Sequence, residues 1–290
     1  MKRPIPLVLV LFVLLASLAG LAASPAATGT DPAPSFNPPK RYFLALGDSI
    51  TYGFQNSKFL AGLPPTAFDT GYVDVLAASL RAIRPDLEVV NYGCPGESTA
   101  TFLNGPCLSN TLGLPLHDPF AGTQLDAAVA FLEAKRGQVS PITLHLYGND
   151  VNDLVRACGG DFDCIRREAP AAIAEFGARL TLILRTLRAA APNAEIVVIG
   201  GWSTGPAPDA DVDRLIEALN GAIAAVAAQQ RVRFADMIPV FNPPGEAARL
   251  SAICSLTLLC AEGDGHPSDA GYRAIAEVLF GVSGYGRLGG

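Results

Sequence analysis

Residues 43–53 read FLALGDSITYG, four apolar residues running straight into a Gly-Asp-Ser turn. A short apolar run closed by a turn is the pattern of a strand buried on both faces. A serine where such a strand stops stands at the rim of a sheet, where α/β folds collect their function. The same kind of run recurs at residues 42–46, 87–92, 142–146, 195–199 and 232–235, giving five strand candidates.

Between them, apolar residues repeat at helical spacing. Tyr72, Leu76, Leu80 and Ile83 share one face, as do Ile173, Phe176, Leu180, Leu184 and Leu187. Val212, Leu215, Ile216, Leu219, Ile223 and Val226 make a third stripe, and Tyr272, Ile275 and Leu279 a fourth. Buried strands alternating with helices imply a parallel sheet covered on both faces, a three-layer α/β/α sandwich. Five strands suit a flavodoxin-like order with function at their carboxyl ends. No internal repeat interrupts the pattern, so residues 41–290 read as one domain.

The N-terminus reads as an export signal. Lys2 and Arg3 precede an uncharged stretch that lasts until Asp31, with its densest apolar core at residues 7–15. Ala22, Ala23 and Ala26 supply the small residues a signal peptidase needs, so residues 1–26 are assigned to the signal peptide. The apolar run is nearly long enough to anchor in a membrane. Pro25 and the Thr/Ser/Pro-rich residues after it favour a processed linker over residues 27–40, and no stable membrane insertion after cleavage. The expected location is extracellular.

The cysteines agree with export. All six fall into sequence-local pairs, Cys94 with Cys107, Cys158 with Cys164 and Cys254 with Cys260. Nearest-neighbour disulfides are the simplest arrangement in an oxidising compartment. No Cys-x-x-Cys occurs and the chain has three histidines, so no metal is expected. A net charge of -6 with no basic block excludes nucleic acid as a partner.

Chemistry concentrates after the strands. The first is followed by Gly47-Asp48-Ser49, the second by NYGCPGEST with Asn91, Gly93 and Gly96, the third by Gly148-Asn149-Asp150. GDGHPSDAGY, with His266, precedes the last helix. In a parallel sheet these blocks meet at one edge, and together they are complete for acyl transfer. A serine hydroxyl attacks only when a base accepts its proton, here His266. The tetrahedral intermediate needs donors for its oxyanion. The Ser49 and Gly96 N–H groups and the Asn149 amide supply them.

Those blocks, in that order, resemble the SGNH (GDSL) hydrolase superfamily over residues 41–281. The resemblance implies an esterase, lipase or acyl hydrolase on a three-layer α/β/α fold, without metal or cofactor. It puts Ser49 on the nucleophile and Asn149 on the oxyanion asparagine. Gly96 fits the oxyanion glycine better than Gly93, because that glycine precedes an acidic residue and then Ser/Thr, here Glu97-Ser98. One block departs from the pattern. The family writes Asp-x-x-His, whereas the third residue before His266 is Gly263 and Asp264 is only two before. Either Asp264 reaches the ring through a bent loop, or the Gly263 carbonyl accepts the imidazole N–H. A carboxylate stabilises imidazolium more strongly, so the second arrangement gives a slower enzyme.

A rival nucleophile is Ser203 in GGWSTG, and Ser203, Asp236 and His266 even follow the α/β-hydrolase chain order. That motif needs a helix starting at the serine. Pro206 and Pro208 delay any helix to about Asp209, and too few strands remain for that fold. The loop is expected to border the substrate pocket, with Trp202 as a wall. Ser98 belongs to the oxyanion turn. Asp48 and Asp150 are expected to bond N–H groups of their own turns, His145 to be a satisfied core histidine, and His117 a loop residue. Segments 94–122 and 238–263 read as long, irregular loops at the active edge, and two readings fit their apolar residues, Phe102, Leu108, Phe120, Phe241 and Leu256 among them: lining for a hydrophobic acyl pocket, or core packing of the loops themselves.

The expectation is a secreted, monomeric serine carboxylic ester hydrolase acting on a small-molecule or lipid-like ester. Two alternatives stay open: an O-acetyl esterase for polysaccharides, and an inactive binding protein on the same scaffold.

Overall fold

Strand β1, Tyr42–Gly47, is buried along its whole length. Successive side chains point to opposite faces of a sheet, so Tyr42, Leu44 and Leu46 enter one core while Phe43 and Ala45 enter another. The computed structural model describes residues 34–109 and 114–288, all within one compact unit. Beside β1 lie β2 (Glu88–Asn91), β3 (Val139–His145), β4 (Ile196–Ile199) and β5 (Arg233–Ala235). All pairings are parallel, in the order β2-β1-β3-β4-β5, the flavodoxin-like order expected. The chain steps from β1 to β2 on one side, then returns to β3 on the other. A crevice therefore opens between the carboxyl ends of β1 and β3.

The helices are α1 (Ser49–Tyr52), α2 (Tyr72–Arg81), α3 (Thr99–Asn104), α4 (Gln124–Ala134), α5 (Gly148–Ala157), α6 (Phe162–Ala190), α7 (Ala210–Gln229), α8 (Glu246–Leu256) and α9 (Asp269–Val282), with a few single turns between them. Ala128 and Leu132 of α4, Phe176, Leu180 and Leu184 of α6 and Ile216, Leu219 and Ile223 of α7 pack on one sheet face. Tyr72, Leu76 and Leu80 of α2, Ile253 of α8 and Tyr272, Ile275 and Leu279 of α9 pack on the other. Each buried Leu, Ile or Phe among them contributes about 1.5–3 kcal/mol through apolar area removed from water. Three layers result.

Some boundaries differ from expectation. β3 begins at Val139, upstream of Pro141, with a register irregularity opposite Tyr42 and Leu44; proline has no N–H for the ladder. Segment 238–263 is largely helical, comprising Ile238–Phe241, α8 and Leu259–Glu262. Its Asn-Pro-Pro-Gly opening hides the good helix formers behind it. α6 starts well before Ile173 and runs through Pro170, its first turn capped by Asp161, which accepts from Cys164 N–H at 2.7 Å.

The cysteines pair as nearest neighbours, Cys94–Cys107, Cys158–Cys164 and Cys254–Cys260, leaving none free. The signal assigned to residues 1–26 lies outside the described residues, as does the linker up to residue 33. The end of that linker packs on the domain: Phe36 meets the Tyr285 ring at 6.2 Å, and Asn37 N–H donates to Glu195 at 3.0 Å. Among the described residues no helix is long and apolar enough to cross a membrane.

Candidate active site

β1 ends at Gly47, whose φ of 134° and surroundings demand glycine: a Cβ there would lie 2.1 Å from the His145 carbonyl oxygen. Asp48 then caps α1, accepting from Ile50 N–H at 2.9 Å. Ser49 thus opens a short helix at the strand end. Its hydroxyl lies 3.0 Å from His266 Nε2, and His266 Nδ1 lies 2.6 Å from Asp264 Oδ1. One tautomer serves both contacts: Nδ1–H donates to the carboxylate and Nε2 accepts from the hydroxyl.

The short Asp/His spacing works because the segment is not a bent loop. Asp264–Pro267 is an extended strand, β7, paired antiparallel with β6 (Thr257–Leu258). Residues two apart on a strand share a face, so the carboxylate meets the imidazole directly. Asp264 Oδ1 also accepts His266 N–H at 3.1 Å, and Oδ2 accepts Asn56 N–H at 2.8 Å. Burial pushes the Asp264 carboxyl up, but the bonds from His266 and Asn56 outweigh it and hold it at about 2. The Gly263 carbonyl is not needed as orienter.

The other donors converge on this point. Gly96 has φ 91°. Gly93 is closed off, its Cβ position only 2.4 Å from Tyr52 N. Asn149, in the first turn of α5, donates from Nδ2 to Glu97 O at 2.9 Å, leaving its second amide hydrogen for a ligand. Ser49, Gly96, Asn149, Asp264 and His266 all line one open cleft of about 880 Å³. Its other walls are Phe54, whose ring lies 4.9 Å from that of His266, Tyr147, Val151, Trp202, the 203–209 loop, Val212 and Ile216.

Several neighbours differ from expectation. Asp150 does not serve its own turn; it accepts from Thr99 N–H at 3.0 Å and from the Thr99 hydroxyl, joining α5 to the start of α3. Burial raises its carboxyl, opposed by the Thr99 bonds and Arg179. Asp48 accepts from Ile50 of its own turn but also from His145 Nδ1 at 2.8 Å. His145 is buried yet only half satisfied, since its Nε2 has no partner. His117 stays a loop residue, bonded to Tyr52 O at 2.9 Å. Ser98 caps α3 in a capping box with Thr101.

Ser203 borders the cleft, but its hydroxyl accepts from Gly205 N–H at 3.2 Å, and no helix starts there. Trp202 is a wall, stacked on Phe241 at 4.2 Å. Of the two readings of the long segments, core packing is the one that holds for Phe102 and Phe241. Among the described residues, Pro95 and Gly96 border the cleft from the first segment and nothing does from 238–263. Gln124 escaped the sequence reading. It is fully buried and ties Gly47 to Glu97, and its only signal was a polar residue opening an apolar helix.

An all-parallel α/β/α sandwich bearing this constellation at its switch point defines an SGNH-type ester hydrolase class. The chain belongs to the GDSL-like lipase/acylhydrolase family, whose model matches residues 45–274. No curated protein sequence matches it. Similar solved structures include phospholipase A1 from Streptomyces albidoflavus, 18% identical with a TM-score of 0.55, over 84% of this chain and 99% of that one. An extracellular lipase from Streptomyces rimosus is 18% identical with a TM-score of 0.54, over 83% and 99%. A variant of an acetyl xylan esterase from Geobacillus stearothermophilus is 17% identical with a TM-score of 0.53, over 86% and 97%.

Proposed function

We propose that the protein is an exported serine carboxylic ester hydrolase working through an acyl-enzyme. Ser49 Oγ attacks the ester carbonyl carbon while His266 Nε2 takes its proton. Asp264 holds the ring and stabilises the imidazolium. The oxyanion meets the N–H groups of Ser49 and Gly96 and the second Nδ2 hydrogen of Asn149. As the C–O bond breaks, His266 returns the proton to the leaving alkoxide. Water then attacks the acyl-enzyme with His266 again as base, releasing the acid and Ser49. The protons balance through His266 alone, from Ser49 to the leaving alkoxide and then from water back to Ser49, so the cycle needs no cofactor.

The carrying observation is the continuous chain from Asp264 through His266 to Ser49, at 2.6 and 3.0 Å. A fluorophosphonate probe tests it. Stoichiometric labelling should vanish in Ser49→Ala and survive in Ser203→Ala; labelling that tracks Ser203 refutes the assignment. An inactive binding protein would not label at all. The apolar walls Phe54, Val151, Trp202, Val212 and Ile216 favour an acyl group longer than acetate. A nitrophenyl ester series with its optimum at acetate would instead support polysaccharide deacetylation. Three disulfides support export. N-terminal sequencing of protein from the medium should find Met1 and the apolar run gone; an intact Met1 refutes the cleaved signal.

A further inference from the structure

Glu97, directly after the oxyanion glycine, has no exposed surface. Its carboxyl receives one hydrogen bond, from Gln124 Nε2 to Oε2 at 3.0 Å, and Oε1 has no partner. The Cys94 and Cys107 sulfurs lie within 4.8 Å of it, but a disulfide has no proton to offer. Thr101 of α3 and Gln124 of α4 face the group, and the charged residue acting on it is Asp48 at the end of β1, which is itself negative. A carboxylate presents about four acceptor positions, and among the described residues no cationic side chain acts on this one. Burial accordingly raises Glu97 to about 7 against the lowering influence of the neighbouring Thr101 hydroxyl and of the Gln124 bond.

The residue also stands where the donor turns join. Its carbonyl accepts from Asn149 Nδ2 at 2.9 Å. Gln124 Oε1 accepts from Gly47 N–H at 2.6 Å, while its Nε2 donates to Gly47 O at 3.0 Å as well as to Glu97. Flipping that amide would set NH₂ against Gly47 N–H, so its orientation is fixed. One buried Glu–Gln pair therefore links the turn before Ser49, the Gly96 turn and the Asn149 side chain.

We infer that Glu97 is held as a neutral carboxylic acid, that with Gln124 it positions the oxyanion donors, and that its ionisation switches the site off on the alkaline side. This rests on the acyl-transfer reading. A negative charge at residue 97, one residue from the Gly96 N–H, would oppose the developing oxyanion and would lack solvent to screen it.

The test measures kcat and KM against pH for wild type, Glu97→Ala and Glu97→Gln on one soluble ester. Wild-type kcat should fall above pH about 7, approaching about tenfold per pH unit. Glu97→Ala should lose about 10–100-fold in kcat with KM little changed. Glu97→Gln should rescue most of that loss and abolish the alkaline fall. A Gln variant that copies the wild-type alkaline limb, or that stays as slow as the Ala variant while folded by circular dichroism, overturns the inference. Carbon-13 NMR of the carboxyl present in wild type and missing in Glu97→Gln gives a second readout. Titration near neutrality supports the inference, and titration in the ordinary carboxylate range overturns it. A wild type that hydrolyses no ester at any pH sinks the acyl-transfer reading and this role with it; an active wild type whose alkaline limb survives in Glu97→Gln sinks this role alone.

Discussion

Asp264→Asn is the most discriminating single change, because the carboxylate has three hydrogen-bond donors and no acceptor around it. Oδ1 takes His266 Nδ1–H and His266 N–H, and Oδ2 takes Asn56 N–H. An asparagine has one oxygen. If that oxygen keeps the Oδ1 position, its NH₂ faces Asn56 N–H, leaving two donors opposed at a cost of about 1–3 kcal/mol. The ring then rests on a neutral carbonyl. If the amide flips, NH₂ faces Nδ1, the proton moves to Nε2, and His266 cannot accept from Ser49. Both outcomes lower kcat, and a drop of about 10³–10⁴-fold, or about 4–5.5 kcal/mol in barrier, is expected. Steady-state hydrolysis of a nitrophenyl ester, with Ser49→Ala as the floor, measures it. A variant within tenfold of wild type at mildly alkaline pH would refute the reasoning and return the orienting role to the backbone. Stability adds an independent sign. The native carboxyl sits at about 2, below its ordinary 3.8, so its contribution is complete above 3.8 and is lost as pH falls towards 2. That contribution is at most about 2.5 kcal/mol, reduced by solvent at the cleft mouth. Urea midpoints of Asp264→Asn should therefore fall less steeply than those of wild type over that acid window.

Asn149→Ala should lower kcat by about 10²–10³-fold with little change in KM, since the amide acts on the oxyanion rather than on bound ester; a pure KM effect contradicts this. Gly47→Ala should unfold the protein or cost more than about 4 kcal/mol, because its Cβ would overlap the His145 carbonyl; a soluble variant with wild-type melting temperature refutes the packing argument. The paired change Cys94→Ala with Cys107→Ala opens a loop of sequence separation 13 and should cost about 3 kcal/mol in urea unfolding; no loss would mean the loop is held by packing alone. Thiol titration of the native protein should find no free cysteine, and two or more reactive thiols would break the pairing.

The sheet and its helices were legible because they rest on periodicity. Short apolar runs closed by turn residues, such as residues 43–46, fit strands buried on both faces, and stripes such as Ile216, Leu219 and Ile223 fit helix faces. The site was legible because topology carries each strand's following turn to one edge. What stayed hidden depended on distance through space. The Asp264–His266 contact needed an extended backbone that a Gly-Asp-Gly sequence does not announce. Gln124 reads as an ordinary helix-opening residue, and its partners Gly47 and Glu97 lie far away in sequence. The choice between cleft wall and core for the loop aromatics stayed open for a related reason. Phe102 and Phe241 are as apolar as a substrate wall, but their helices turn them into the two cores.

The strand that carries both Asp264 and His266 has a mechanical corollary. Because acid and imidazole ride on one ribbon, and the same oxygen also grips the backbone between them, they travel as a cartridge whose internal bond survives displacement. Heat or solvent that loosens this hairpin would withdraw the whole cartridge from Ser49 before the carboxylate and ring part company. Loss of function on warming should then be abrupt and reversible, with the serine left intact and simply unaccompanied.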